Sequence, residues 1–161
     1  MKYTPYSEAQ IQSMNVMPEG IYDFQVLDVI TTDQAGLQLK DKNGNEMAKL
    51  KIVVWDNDNR ERILYTFISG DDNFAYKLRH FAKSIGKIGK YEDGTFDIED
   101  TMGNSGKAYV VIRKGTIKND GSGEMWPDRN DVKDFISDMP PASHHNSVAN
   151  QPKHEDDQLP F

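Results

Sequence analysis

The chain has 161 residues, 37% hydrophobic and 10% aromatic, which is enough for one domain with a small core plus a terminal segment. It contains no cysteine, which excludes disulfides, thiolate zinc sites and cysteine nucleophiles and fits a reducing cytoplasm, and it has no apolar run of about 18 residues that could span a membrane. The formal net charge is −7, so a surface that binds nucleic acid would need a local concentration of cations.

The first half of the chain predicts strands. Residues 17–32 are apolar and β-rich and predict one long strand, bent partway, and residues 36–41 predict a short one. Asn43-Gly44 is typical of a tight hairpin turn. Residues 46–56 and 62–69 then alternate with a period of two, which predicts two half-buried strands joined by a turn.

The two faces of the strand at 46–56 differ in character. One face carries only aliphatic side chains, namely Ala48, Leu50, Ile52 and Val54. The opposite face is partly cationic and ends in a tryptophan, with Met47, Lys49, Lys51, Val53 and Trp55. In the next strand, Tyr65 and Phe67 alternate with Leu64, Thr66 and Ile68. We therefore expect Tyr65 and Phe67 to share the cationic face.

The second half of the chain begins with a helix. After Asp71 or Asp72 as the cap, apolar residues recur at helical spacing up to Gly86, which can end the helix. Residues 107–118 predict a strand, and 124–137 predict a short strand followed by an amphipathic segment. Residues 138–154 are rich in Pro, Ser, Asn and His and predict a disordered linker.

The number and order of these elements predict the fold class. About five strands, with one helix between the third and the fourth, are typical of the mainly β, five-stranded Greek-key barrel called the OB-fold. Other small β-barrels have a similar count and remain alternatives. The OB-fold often binds oligonucleotides across one face.

Two windows of the chain are basic and contain no acid. Residues 77–90 carry Lys77, Arg79, Lys83, Lys87 and Lys90, and residues 101–119 carry Lys107, Arg113, Lys114 and Lys118. Charge alone favours solvated faces balanced by neighbouring acids over a nucleic-acid surface.

The sequence gives little support for catalysis, and we expect neither an enzyme nor a cofactor. Asp56, Asp58 and Glu61 have the spacing of oxygen ligands, but the rest of a calcium loop is absent, which favours a polar turn. His144, His145 and His154 fall in the predicted linker, and His80 has no evident catalytic partner in the sequence.

The pattern of aromatic residues and cations is more informative. A sequence-tolerant binder of single-stranded nucleic acid needs aromatic side chains for the bases and cations for the phosphates. The candidates are Lys49, Lys51, Trp55, Tyr65, Phe67, Lys77, Arg79, Tyr109, Arg113, Lys114 and Trp126. The alternative is that the aromatic residues form the core. This alternative is favoured for Phe24, Phe74 and Phe81, is left open for Phe67 and Trp126, and is disfavoured for Trp55.

The end of the chain reads Asp156-Asp157-Gln158-Leu159-Pro160-Phe161. It resembles the C-terminal tip of bacterial and phage single-stranded DNA-binding proteins, in which acids precede an aliphatic residue, Pro and Phe. Gln158 departs from this pattern, because an acid is usual there. The stretches "MPEGIYDFQVLDV" and "NDVKDFI" are in addition similar to phage-type OB-fold DNA-binding proteins.

This resemblance implies a division of labour along the chain. Residues 1–137 would bind single-stranded DNA without strong sequence preference, in replication, recombination or repair, in the cytoplasm or in the host cytoplasm if a phage encodes the protein. Residues 138–154 would be the linker. The tip would recruit a polymerase, helicase or nuclease through Glu155, Asp156, Asp157, Leu159, Pro160 and Phe161. The alternatives are an RNA-binding or annealing module, a metal-dependent nuclease subunit and a protein adaptor. A homo-oligomer is left open.

Overall fold

The computed structural model describes residues 1–137, so the predicted linker and tip lie outside the described residues. The strands are β1 (Gly20–Ile30), β2 (Met47–Trp55), β3 (Glu61–Ser69), β4 (Ser105–Arg113) and β5 (Arg129–Ile136). The helices are α1 (Glu8–Met14), α2 (Ala75–Ser84) and α3 (Ile88–Glu92), with 3-10 turns at Asp72–Phe74 and Ile98–Thr101. The predicted arrangement of five strands with a helix between the third and the fourth is confirmed.

The strands form one antiparallel sheet in the order β3-β2-β1-β4-β5. The long first strand is bent as predicted, because its register with β2 shifts between Val26 and Asp28. The predicted strands at 46–56 and 62–69 are β2 and β3, paired without interruption from Met47 opposite Ser69 to Trp55 opposite Glu61.

One side of the sheet and α2 enclose the core. Phe81 and Ala82 of α2 are fully buried, and the Phe81 ring lies 4.9 Å from that of Phe135 and 6.3 Å from that of Phe24, measured between ring centroids. The aliphatic face of β2 is buried as predicted, through Ala48, Leu50, Ile52 and Val54. Aromatic packing of α2 therefore fixes the helix against β1 and β5.

Lys77 of α2 connects the two strands at the ends of the sheet order. Its Nζ donates to Thr66 Oγ1 of β3 at 2.8 Å and to the carbonyl of Val132 in β5 at 3.2 Å. Burial lowers the pKa of Lys77, against the opposing effect of the Asp131 and Asp134 carboxylates. Because β3 and β5 also contact each other directly, the sheet curves until its first and last strands are neighbours.

Several local predictions were wrong. Phe74, expected in the core, is 49% exposed, because α2 begins only after a 3-10 turn capped by Asp71. Residues 36–41 form isolated bridges to Thr32 and Glu46 in place of a strand. In 124–137, the predicted strand is present, but it lies at Arg129–Ile136 as β5 and occupies the part expected to be an amphipathic segment. The helices α1 and α3 were not predicted from the sequence. Within residues 1–137, no helix has the length and apolar character to cross a bilayer.

Gly115 lies where β4 leads into the loop to β5, and it has no room for a side chain. A Cβ at this position would lie 1.7 Å from the carbonyl oxygen of Trp126, which is fixed backbone. We expect Gly115→Ala to lower the free energy of unfolding by about 1–3 kcal/mol, because the backbone at residue 115 and at Trp126 must move apart to make room for the methyl group. Gly89→Ala is the matched control, since no atom lies within 4 Å of its Cβ position. Equal urea-denaturation midpoints for the two variants would contradict the prediction.

Candidate nucleic-acid interface

The outward faces of β2 and β3 bring together the cations and aromatic residues predicted from alternation. In the register of the two strands, Lys49 lies opposite Phe67 and Lys51 lies opposite Tyr65. Tyr65 is 46% exposed and Phe67 is 48% exposed, whereas Thr66 between them is buried. Phe67, left open by the sequence, is therefore outside the core. We call Lys49, Lys51, Tyr65 and Phe67 the β2–β3 surface.

Lys49 contacts both aromatic rings of this surface. Its Nζ lies 4.6 Å from the ring centroid of Tyr65 and 5.8 Å from that of Phe67. Within residues 1–137, no ion pair joins Lys49 or Lys51 to a carboxylate. Their charges are therefore available to an anion, and the faces of two rings lie beside them.

Three residues of the β2–β3 surface, Lys49, Tyr65 and Phe67, lie in one wall of an open groove of about 570 Å³, and Lys51 lies outside its lining. Asn15 and Val16, which follow α1, and the first residues of β5 form the other wall. Three cations and two carboxylates line this groove, namely Lys49, Arg62, Arg129, Asp128 and Asp131. The groove is thus slightly positive on a protein that is acidic overall.

Most of the other predicted cations are paired with acids. The ion pairs are Arg79–Glu92 at 3.8 Å, Arg113–Asp131 at 3.2 Å, Lys114–Asp128 at 3.3 Å, Lys118–Glu124 at 3.2 Å and Lys107–Asp23 at 2.7 Å. Lys77 instead donates hydrogen bonds to Thr66 and to the Val132 carbonyl, as described above. For Arg79, Arg113, Lys114 and Lys118 the structure agrees with the interpretation of the basic windows as solvated faces balanced by acids, whereas Lys107 is buried with Asp23 and contradicts it.

The remaining aromatic candidates lie in different places. Trp55, at the end of β2 opposite Glu61, is half-buried, and Tyr109 in β4, opposite Ile21 of β1, is half-buried too. Trp126 lies in the loop before β5 and is 54% exposed, with Lys118 Nζ 4.7 Å from its ring. Trp126, also left open by the sequence, is thus outside the core, but it does not line the groove beside Tyr65 and Phe67.

The acids at the turn after β2 form a structural turn, as the sequence favoured. Asp56 Oδ1 accepts the backbone N–H groups of Asp58 and Arg60, both at 2.9 Å, and Oδ2 pairs with Arg62 at 3.3 Å. Burial opposes ionisation of Asp56, but these contacts outweigh it and lower its pKa. No cluster of three or more potential metal ligands occurs in the described part of the chain.

Arg62 and Arg129 are groove cations that were not among the predicted site residues, and Arg62 shows why. Strand alternation places it with Leu64 on the inward side of β3, but it lies at the strand end, where its guanidinium reaches the Asn15 carbonyl and Asp56. The sequence contained no signal for this position, because it depends on where residues before β1 cross the end of the sheet.

Comparison with protein-family models gives no match for this chain, and comparison with curated proteins gives none either.

Proposed function

We propose that the protein binds single-stranded DNA along the β2–β3 surface, with little sequence preference. The observation that carries this proposal is the pair of exposed rings, Tyr65 and Phe67, beside two cations without carboxylate partners in residues 1–137. An aromatic face stacks on any base, and an ammonium group attracts any phosphate, so this combination favours binding without base readout. The protein acts as a binding module and not as an enzyme.

Strand geometry supports the same ligand. Residues two apart on one strand are separated by about 6.5–7 Å, so Tyr65 and Phe67 offer two stacking positions at about that spacing. In a duplex, bases stack on each other and their faces are covered. A ligand that uses both rings must therefore have unstacked bases, which favours a single strand over a duplex.

The topology supports an OB-fold barrel as the scaffold. The strand order, the helix between β3 and β4, and the contact between β3 and β5 are what a five-stranded barrel of this type requires. OB-folds use the second and third strands to bind oligonucleotides. The β2–β3 surface occupies the corresponding strands of this sheet.

The second part of the proposal is that the tip, residues 155–161, binds a partner protein. The tip lies outside the described residues, and its role rests on the resemblance stated above and on its chemistry. The Phe161 ring next to Pro160 and behind three acids suits an apolar pocket with a basic rim on a replication protein. Glu155, Asp156 and Asp157 would steer the tip to that rim.

The test is a titration with oligo-dT at several salt concentrations. If about five phosphates are contacted, the slope of log affinity against log salt should be about −3.5, and Lys49→Gln with Lys51→Gln should reduce its magnitude by about 1.4. Lys87→Gln with Lys90→Gln is the matched control, because this pair removes the same charge at α3 and not on the β2–β3 surface. Binding that is independent of salt, or tighter to duplex than to a single strand, would refute the proposal.

Two further experiments test the alternative functions. Parallel titrations with oligo-U test RNA binding, and incubation of DNA with the protein and Mg²⁺ tests for nuclease cleavage.

A further inference from the structure

A second groove, of about 1050 Å³, lies between α1 and the loop that leads into β5. We call it the α1 groove. The Ser13 hydroxyl at the end of α1 accepts the Asp128 backbone N–H at 2.9 Å, and the Asn15 carbonyl accepts from Arg62. At the start of α1, the Ser7 hydroxyl accepts the Gln10 backbone N–H, and the Gln10 side chain accepts the Ser7 backbone N–H. Both walls of the α1 groove are thus held by the fold.

The lining of the α1 groove is rich in large apolar side chains that the protein leaves exposed. No residue of α1 is buried, so this helix contributes nothing to the hydrophobic core. The exposed apolar residues of the lining are Tyr6, Met14, Met125 and Trp126. Tryptophan, tyrosine and methionine are enriched in protein–protein interfaces, and methionine adapts its shape to a partner. A concave surface of this composition favours an apolar anchor side chain from another molecule.

The charge of the α1 groove is opposite to that of the groove beside Tyr65 and Phe67. Glu8, Glu124 and Asp128 line it, against Lys118 as its only cation among the described residues. Lys118 is paired with Glu124, and Lys114 from outside the lining is paired with Asp128. Glu8 has no ion pair within residues 1–137. A phosphate backbone would meet carboxylates here, whereas a cationic peptide would find complementary charge.

We propose that the α1 groove binds a basic segment of a partner protein, with an apolar side chain against Trp126 and Met14 and lysine or arginine residues beside Glu8 and Glu124. This site does not depend on the β2–β3 surface and is separate from the proposed role of the C-terminal tip. The two grooves share Gln12 and Asp128 as walls, so both ligands can lie side by side on one face of the domain.

Of the two tryptophans of the chain, Trp126 lines the α1 groove and Trp55 does not, so the α1 groove can be observed selectively in the full-length protein. In Trp55→Phe the fluorescence comes from Trp126, and in Trp126→Phe it comes from Trp55. The probe is a short, Trp-free peptide of alternating Lys and Leu, with a Glu-for-Lys peptide as its negative counterpart. We expect the cationic peptide to change the fluorescence of Trp55→Phe, with a change that saturates as the peptide concentration rises. The fluorescence of Trp126→Phe should stay unchanged.

Charge variants then test the location of the site. Glu8→Gln with Glu124→Gln should weaken peptide binding by about 2- to 30-fold, since two exposed ion pairs are lost. Glu46→Gln with Glu99→Gln removes the same charge outside the α1 groove and should leave binding unchanged. Equal weakening by both pairs, binding of the Glu peptide as tight as that of the Lys peptide, or no response of Trp126 to the cationic peptide would overturn the proposal. A response of Trp126 to oligo-dT that the peptide does not displace would assign the groove to nucleic acid and also overturn it.

Discussion

Replacing both Tyr65 and Phe67 by Ala should weaken oligo-dT binding by about 2–6 kcal/mol, because each base stacked on an aromatic side chain contributes about 1–3 kcal/mol. The free energy of unfolding should change much less, since both rings are about half exposed and lie outside the core. Fluorescence or gel-shift titration at fixed salt measures the first quantity, and urea denaturation measures the second.

The chain offers a matched control for this double variant. Phe74 and Tyr76 are also two residues apart, are exposed to the same extent, and lie at the start of α2 away from β2. Phe74→Ala with Tyr76→Ala should leave the affinity for oligo-dT close to that of the wild type. If the two double variants lose affinity equally, the β2–β3 surface is not the binding site.

Lys107→Met should lower the free energy of unfolding by about 3–5 kcal/mol, because it leaves the Asp23 carboxylate buried without its counter-ion. The two side chains are each 7% exposed and form an ion pair of 2.7 Å. Asp23 Oδ2 accepts no hydrogen bond, so Lys107 is the sole side chain that compensates this carboxylate within residues 1–137. Urea denaturation monitored by circular dichroism provides the measurement.

Two comparisons make this second prediction specific. Asp23→Leu combined with Lys107→Met removes both buried charges and should recover most of the lost stability. Lys114→Met breaks an ion pair whose lysine is 83% exposed, and it should cost about 1 kcal/mol or less. A double variant as unstable as Lys107→Met would show that the side chains matter for their shape and not for their charge.

The part of the site that the sequence predicted is the part that follows from strand periodicity. Alternation in 46–56 and 62–69 assigns Lys49, Lys51, Tyr65 and Phe67 to one face whatever the rest of the chain does. The second part of 124–137 was predicted as an amphipathic segment but is the strand β5, for a related reason. A register shift within the β4–β5 pair breaks the alternation, so Val132, Phe135 and Ile136 are buried at helical spacing although the segment is a strand.

The partners of the cations could not be predicted from the sequence. Lys77, Lys107 and Lys114 look alike in the sequence, and all three fall in basic windows. One contacts two strands, one is in a buried ion pair and one is in an exposed ion pair. Their partners come from distant positions in the chain, so only the tertiary structure distinguishes them. For α1, by contrast, a signal was present and overlooked, since Ser7 and Gln10 have the spacing of a capping box.

The position of Lys77 bears on whether the edge strands of the sheet can pair with those of another molecule. The first and last strands of a sheet expose unpaired backbone groups, which can pair with the same strands of another molecule and lead to aggregation. Lys77 supplies a hydrogen-bond donor to the Val132 carbonyl and brings a charge between β3 and β5. An inward-pointing lysine of this kind makes edge-to-edge pairing with a second chain unfavourable. On the single DNA strand that we propose as the ligand, neighbouring copies would then bind side by side without their sheets joining.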